Sequence, residues 1–190
     1  MSSWGASTTD ESKPKYLTDE EKRDCYADNT GWTVAAGGNG NASAQRETLV
    51  TIGDLSGGTS TTAALARGTI SSINWDITAY SRAAGGTLSV TANFNEAVAV
   101  TGTPQLTVVN DSRANHTLSY ASGTGTNRLT FTLAIAANHA SLQATDVISI
   151  GANAMALNGG TVKDQGTNVA SAITNAVGIG TAAGTITAVA

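Results

Sequence analysis

Two segments of this chain alternate apolar and polar side chains with a period of two. Leu88, Val90, Ala92 and Phe94 alternate with Ser89, Thr91 and Asn93, and Leu129, Phe131, Leu133 and Ile135 alternate with Thr130, Thr132 and Ala134. Each run predicts a strand with one buried and one wet face. Shorter runs predict strands over 69–77, 97–100, 105–109, 117–121, 146–150, 154–157, 161–163 and 185–189. Turn residues separate them at Gly85-Gly86, Gly102-Thr103-Pro104, Ser122-Gly123-Thr124-Gly125 and Asn158-Gly159. Short strands with a turn signal every ~8–12 residues predict a small antiparallel β-sandwich.

The leading part of the chain has a different pattern. Leu17 to Ala27 predicts the one helix of the protein. Thr18 and Glu21 have the spacing of a capping box, and acidic residues crowd the first turn, where the helix dipole favours them. Asn29-Thr30-Gly31 is expected to stop it. A helix of roughly ten residues is shorter than the ~12–15 that persist alone in water, so it must dock. Residues 36–45 predict a loop, and Glu47 to Gly53 a strand.

The chain therefore divides into a segment 1–57, a Thr/Ala/Gly-rich connector 58–68 and a β-module 69–190. Residues 1–57 carry eleven large apolar side chains, few for a unit of that size. Segments below ~60 residues are marginal without staples. The first segment is expected to borrow its core from the β-module or from a partner surface. Its aromatic and aliphatic residues are the candidate contacts: Trp4, Tyr16, Leu17, Tyr26, Trp32, Leu49, Val50 and Ile52. Trp and Tyr dominate interface hot spots. Strand addition from residues 46–55 is a second device for holding a partner.

Charge narrows the choice of partner. Net charge is −4, and residues 58–190 hold only five basic and five acidic side chains. No basic patch suited to nucleic acid results. No stretch of about 18 apolar residues predicts a membrane span. The first residues lack the basic and apolar regions of a signal peptide. Export as part of a larger object, or by lysis, is the corresponding expectation.

Candidate chemistry is sparse. His116 and His139 read as solvated residues at a strand entry and in a loop, without metal-ligand spacing. Asp76, Glu96, Asp111, Asp146 and Asp164 form no paired motif and read as turn and strand-edge residues. No nucleophile elbow or phosphate loop occurs. Cys25 is the one cysteine, which leaves no intrachain disulfide to form, and it reads as a small half-buried side chain. No catalytic, cofactor or metal site is predicted, and the chain is not expected to be an enzyme.

Residues 85–168 resemble the bacterial immunoglobulin-like, cadherin-like repeats of surface adhesins and phage virion proteins. The likeness lies in Phe94-Asn95-Glu96-Ala97-Val98, Val100-Thr101-Gly102-Thr103-Pro104-Gln105-Leu106, Tyr120-Ala121-Ser122-Gly123-Thr124-Gly125-Thr126-Asn127 and Leu157-Asn158-Gly159-Gly160-Thr161-Val162-Lys163-Asp164. The N-terminal part resembles the start of virion structural proteins of marine cyanophages, through Trp4-Gly5, Lys13-Pro14-Lys15-Tyr16-Leu17-Thr18, Glu20-Glu21-Lys22, Tyr26-Ala27, Gly31-Trp32 and Leu49-Val50.

Together these resemblances imply a mostly β fold: an Ig-like antiparallel β-sandwich preceded by an N-terminal anchoring segment with one short helix. The implied function is a capsid decoration or cement protein on the outer surface of a phage head. Its implied partners are the major capsid protein and neighbouring copies of itself, with weak binding of host-surface glycan as an additional expectation. The alternative is a tail or fibre component whose Ig-like domain binds host glycan, with Trp75, Tyr80 and Tyr120 as the aromatics open to sugar stacking.

Overall fold

A computed structural model describes residues 17–38, 42–53, 55–56 and 67–190. Strands account for 49% and helices for 6%, so the protein is mostly β, as the alternation predicts. The connector 58–68 lies outside the described residues apart from Arg67 and Gly68.

The N-terminal part contains α1 (Asp19–Asp24), β1 (Cys25–Asp28), β2 (Gly31–Val34) and β3 (Glu47–Thr51). The module begins with β4 (Ile70–Trp75), β5 (Tyr80–Ser81), β6 (Gly86–Thr101), β7 (Gln105–Asn110), β8 (His116–Ser122) and β9 (Thr126–Ile135). It ends with β10 (Val147–Ser149), β11 (Met155–Ala156), β12 (Thr161–Asp164), α2 (Val177–Ala182) and β13 (Thr185–Val189).

Hydrogen bonding links the strands in the order β3-β2-β1-β6-β9-β8-β7-β10-β13-β5, with β4 and β12 also on β6 and β11 on β7. The β1–β6 and β13–β5 pairs are parallel, and the rest are antiparallel. The ladder is one open mixed network, and it does not by itself delineate two stacked sheets.

The hub is β6, which merges the expected strands at 88–94 and 97–100 into one of 16 residues. Its register against β9 jumps between Asn93↔Arg128 and Val98↔Thr126. Such a bulge bends a strand and re-aims it. Before the bulge β6 pairs with β4 and β9, and after it with β12. Inside it, Glu96 pairs with Ala27 of β1.

The core follows the predicted faces. Leu88, Val90, Ala92 and Phe94 are buried against Leu129, Phe131, Leu106, Leu118 and Ile148. Each of these side chains apart from Ala92 contributes roughly 1.5–3 kcal/mol. The opposite face of β6 is partly closed as well. Thr91 Oγ1 donates to Asp76 Oδ2 at 3.0 Å, and Asn93 Nδ2 to Ser72 Oγ and Asn74 Oδ1 at 3.0 Å each.

Two local readings change. The N-terminal helix stops at Asp24, and Cys25 to Asp28, expected to be mostly helical, extend as a strand. The reason lies in the segment read as a helix stop, which is a hairpin turn. Asp28 Oδ1 accepts from Thr30 N at 2.7 Å, Thr30 Oγ1 at 2.6 Å and Gly31 N at 3.2 Å. This Asx arrangement folds β2 back onto β1. In addition, α2 forms despite two glycines and no side-chain cap. A Cβ on Gly180 would lie 2.1 Å from the Ile150 carbonyl oxygen, so close approach to that strand end demands glycine.

Candidate partner-binding face

The N-terminal hairpin and β3 build a small sheet with its own core. Leu17, Cys25, Ala27, Trp32, Val34 and Leu55 are buried in it, and Leu49, Val50 and Ile52 pack against its side. Trp32 is only 2% exposed. Among the residues expected to contact a partner, Leu17 and Trp32 are thus enclosed by the protein itself. Tyr26, Leu49, Val50 and Ile52 are half-buried and keep surface. Trp4 and Tyr16 lie outside the described residues.

Local hydrogen bonds hold this sheet in shape. The capping box predicted from Thr18 and Glu21 forms: Glu21 N donates to Thr18 Oγ1 at 3.2 Å, and Thr18 N donates to Glu21 Oε2 at 2.8 Å. The Thr18 backbone and hydroxyl donors hold the Glu21 carboxyl below its usual range. Arg46 pairs with Asp28, which raises the guanidinium further. Burial alone would raise Asp28, but the Thr30 hydroxyl and amide, together with Arg46, bring it below the ordinary carboxylate value.

Besides the β1–β6 pair, hydrogen bonds and an ion pair among the described residues fasten the sheet to the module. Asn127 Nδ2 lies 3.3 Å from the carbonyl oxygens of Arg23 and Phe94 and donates to them. Arg128 Nη1 meets Asp24 Oδ1 at 2.6 Å. Ser56 Oγ donates to Glu96 Oε2 at 3.0 Å.

Glu96 and Asp164 are 0% and 1% exposed, far from the turn and strand-edge reading of the sequence. Asp164 Oδ1 accepts from Thr167 N at 2.7 Å and Thr167 Oγ1 at 3.1 Å. Burial would raise Asp164. Its hydrogen bond with the Glu96 side chain, with those from Thr167 and the Gly166 amide, brings it below the usual value. Beside this pair an open cleft of about 520 Å³ runs between the N-terminal sheet and the module, lined by Tyr26, Asp28, Arg46, Ser56, Ala97 and Gln165. Glu96, Asp164 and Asn127 are the positions that sequence reasoning missed. The one available signal was a Glu two residues after buried Phe94 in a strand pattern, where alternation asks for an apolar side chain.

Among the described residues, β3 ends the strand order, with β2 as its one neighbour. Glu47, Thr48 and Thr51 are exposed along it. An edge strand presents unpaired N–H and C=O groups to a further strand.

The other candidate residues are placed as follows. Cys25 is fully buried, His139 is exposed, and His116 is buried rather than solvated. No group of three or more His, Cys, Asp or Glu gathers as a metal site among the described residues. Tyr80 is buried, with its hydroxyl on the Ile135 carbonyl oxygen at 3.2 Å. Trp75 Nε1 donates to the Gly184 carbonyl oxygen at 3.3 Å, and Tyr120 packs edge-on to Phe131 at 6.0 Å between ring centroids. These three rings, considered for sugar stacking, are engaged within the protein. No described helix is long and apolar enough to cross a membrane.

No protein family, no curated protein and no solved structure matches this chain.

Proposed function

We propose that this chain is a phage virion structural protein, a capsid decoration protein on the outer surface of the head. In this reading the N-terminal sheet grips the shell and an Ig-like sandwich formed by residues 69–190 projects outward. The major capsid protein and neighbouring copies of the chain are its partners. The supporting observation is the edge position of β3 among the described residues, next to the half-buried Leu49, Val50 and Ile52. An edge strand flanked by apolar side chains suits strand addition, in which main-chain bonds give affinity and alternate side chains give fit. The sandwich reading is supported by the common core under β6, β7, β8 and β9.

The resemblance to cyanophage virion proteins supplies the particle, and the engaged state of Trp75, Tyr80 and Tyr120 disfavours a glycan-stacking role. The test uses the full chain with Glu47→Lys and Thr51→Lys, both at exposed edge positions. Charges on an edge strand block pairing. The variant should fold and fail to co-sediment with phage heads. Retained binding would remove the edge from the proposal. Immunogold labelling of tails rather than heads would move the protein to the tail or fibre.

A further inference from the structure

The turn between β7 and β8 closes over a buried polar cluster. Asn110 ends β7 and His116 opens β8; each is 5% exposed, and Asp146, just before β10, is 4%. Asn110 Oδ1 accepts the backbone N–H of Ser112 at 3.0 Å and of Arg113 at 3.1 Å. Two donors on that oxygen decide which way the amide faces, so Nδ2 points the other way. There Nδ2 donates to Asp146 Oδ2 at 3.1 Å and lies 3.4 Å from His116 Nε2. An amide nitrogen of this kind can only donate. His116 Nε2 must therefore accept, which puts the ring proton on Nδ1 and keeps the ring neutral.

The charged groups around the ring come from every neighbouring segment. Asp146 Oδ2 also takes Gln143 N at 3.0 Å and Arg113 Nε at 3.1 Å. Asp111, in the turn, is occupied by Val147 N at 3.0 Å and Ser112 Oγ at 2.9 Å. His139 approaches from the loop after β9. Burial is the main cause holding His116 below the ordinary imidazole value; Asp146 opposes it, and His139 acts in the same sense as burial.

We propose that His116 and Asn110 form a latch released by acid, freeing the 111–115 turn from β10. A protonated His116 turns an N–H toward the Asn110 amide, donor against donor. The amide cannot flip without losing Ser112 and Arg113. The ring must leave, which opens the buried Asn110–Asp146 hydrogen bond to water. Asp146 is where β10 is pinned, next to the Ile148↔Asn110 pairing and the bond from Asp111 N to the Val147 carbonyl oxygen at 3.1 Å. The folded state binds this proton less readily than the unfolded chain. The latch's contribution is therefore complete above about pH 6.5 and is lost as pH falls through that value toward the lower folded one.

The test is residue-resolved NMR of the full chain between pH 7.5 and 5. The opened population, from amide exchange at 111–118 and 146–149 corrected for intrinsic rates, should rise by up to about tenfold per pH unit between the two His116 values. His116→Gln supplies a neutral acceptor and should abolish that rise. An equal rise in His116→Gln would overturn the latch. So would a wild-type His116 with its ring proton on Nε2, or one titrating at or above about 6.5. If the variant does not fold, the wild-type tautomer and titration decide the question alone.

Discussion

Ser56 and Glu96, forty positions apart, meet through a 3.0 Å hydrogen bond from the serine hydroxyl to the glutamate carboxyl. Glu96 sits in the bulge of β6, so this bond ties the segment after β3 to the hub strand of the module. A buried carboxyl that loses one of its donors is left partly unsatisfied, at a cost of roughly 1–3 kcal/mol. Ser56→Ala is expected to lower unfolding free energy by about that amount in urea titration. Ser56→Thr, which keeps the hydroxyl, should retain most of it. Equal midpoints for all three proteins would show that the bond adds nothing.

Asn127 carries a second fastening. Its amide nitrogen satisfies the Arg23 and Phe94 carbonyl oxygens from a buried position. Asn127→Ala leaves both without that donor, at a cost of about 1–3 kcal/mol. Limited trypsin digestion should then cut after Lys22 and Arg23 faster than in the wild type, because α1 loses its hold on the module.

Gly31 opens β2 with φ at +134°, and a Cβ there would lie 2.0 Å from the Val50 carbonyl oxygen. Gly31→Ala should separate β3 from β2 and uncover Trp32. The expected reading is a red shift of tryptophan emission with loss of well over about 1 kcal/mol in stability. Gly53→Ala, where a Cβ would meet nothing within 4 Å, is the matched control and should leave both unchanged.

Acid should act in a second, lower window. Asp28, Asp146 and Asp164 all sit below their ordinary value of 3.8 in the folded protein. For Asp146, burial acts upward, and the Gln143 amide, Asn110 and Arg113 outweigh it. A lowered folded value means stabilisation that is present above about pH 4 and lost as pH falls through the folded value. Thermal melts of His116→Gln, which removes the histidine contribution, should stay level from pH 7 to about 5 and fall steeply below 4. Adding Asp164→Asn should flatten that fall.

The cores of β6 and β9 were legible because period-two alternation reports the burial of a strand's own face. Leu88 to Phe94 and Leu129 to Ile135 could be assigned on that basis alone. The capping box of Thr18 and Glu21 was also legible, since it needs only residues three apart. Of the residues expected to meet a partner, Leu49, Val50 and Ile52 lie on or beside an edge strand among the described residues, whereas Trp32 faces inward. Nothing local distinguishes an indole that anchors a partner from one that fills a small core.

Composition and alternation, taken alone, determined a mostly β protein with turns at Gly and Asn and with a charge-poor module. Contacts between distant segments decided the rest. Cys25 to Asp28 became a strand because Gly31–Val34 and Glu96 offered it partners. Glu96 went inward because β6 bulges there to reach β12 and β1. Gly180 became helical because the Ile150 backbone lies against it. Glu96 and Gly180 answer to groups tens of residues away and Cys25–Asp28 to the hairpin beside it, and in each the free energy of burying and pairing backbone exceeds the local preference that a sequence pattern records.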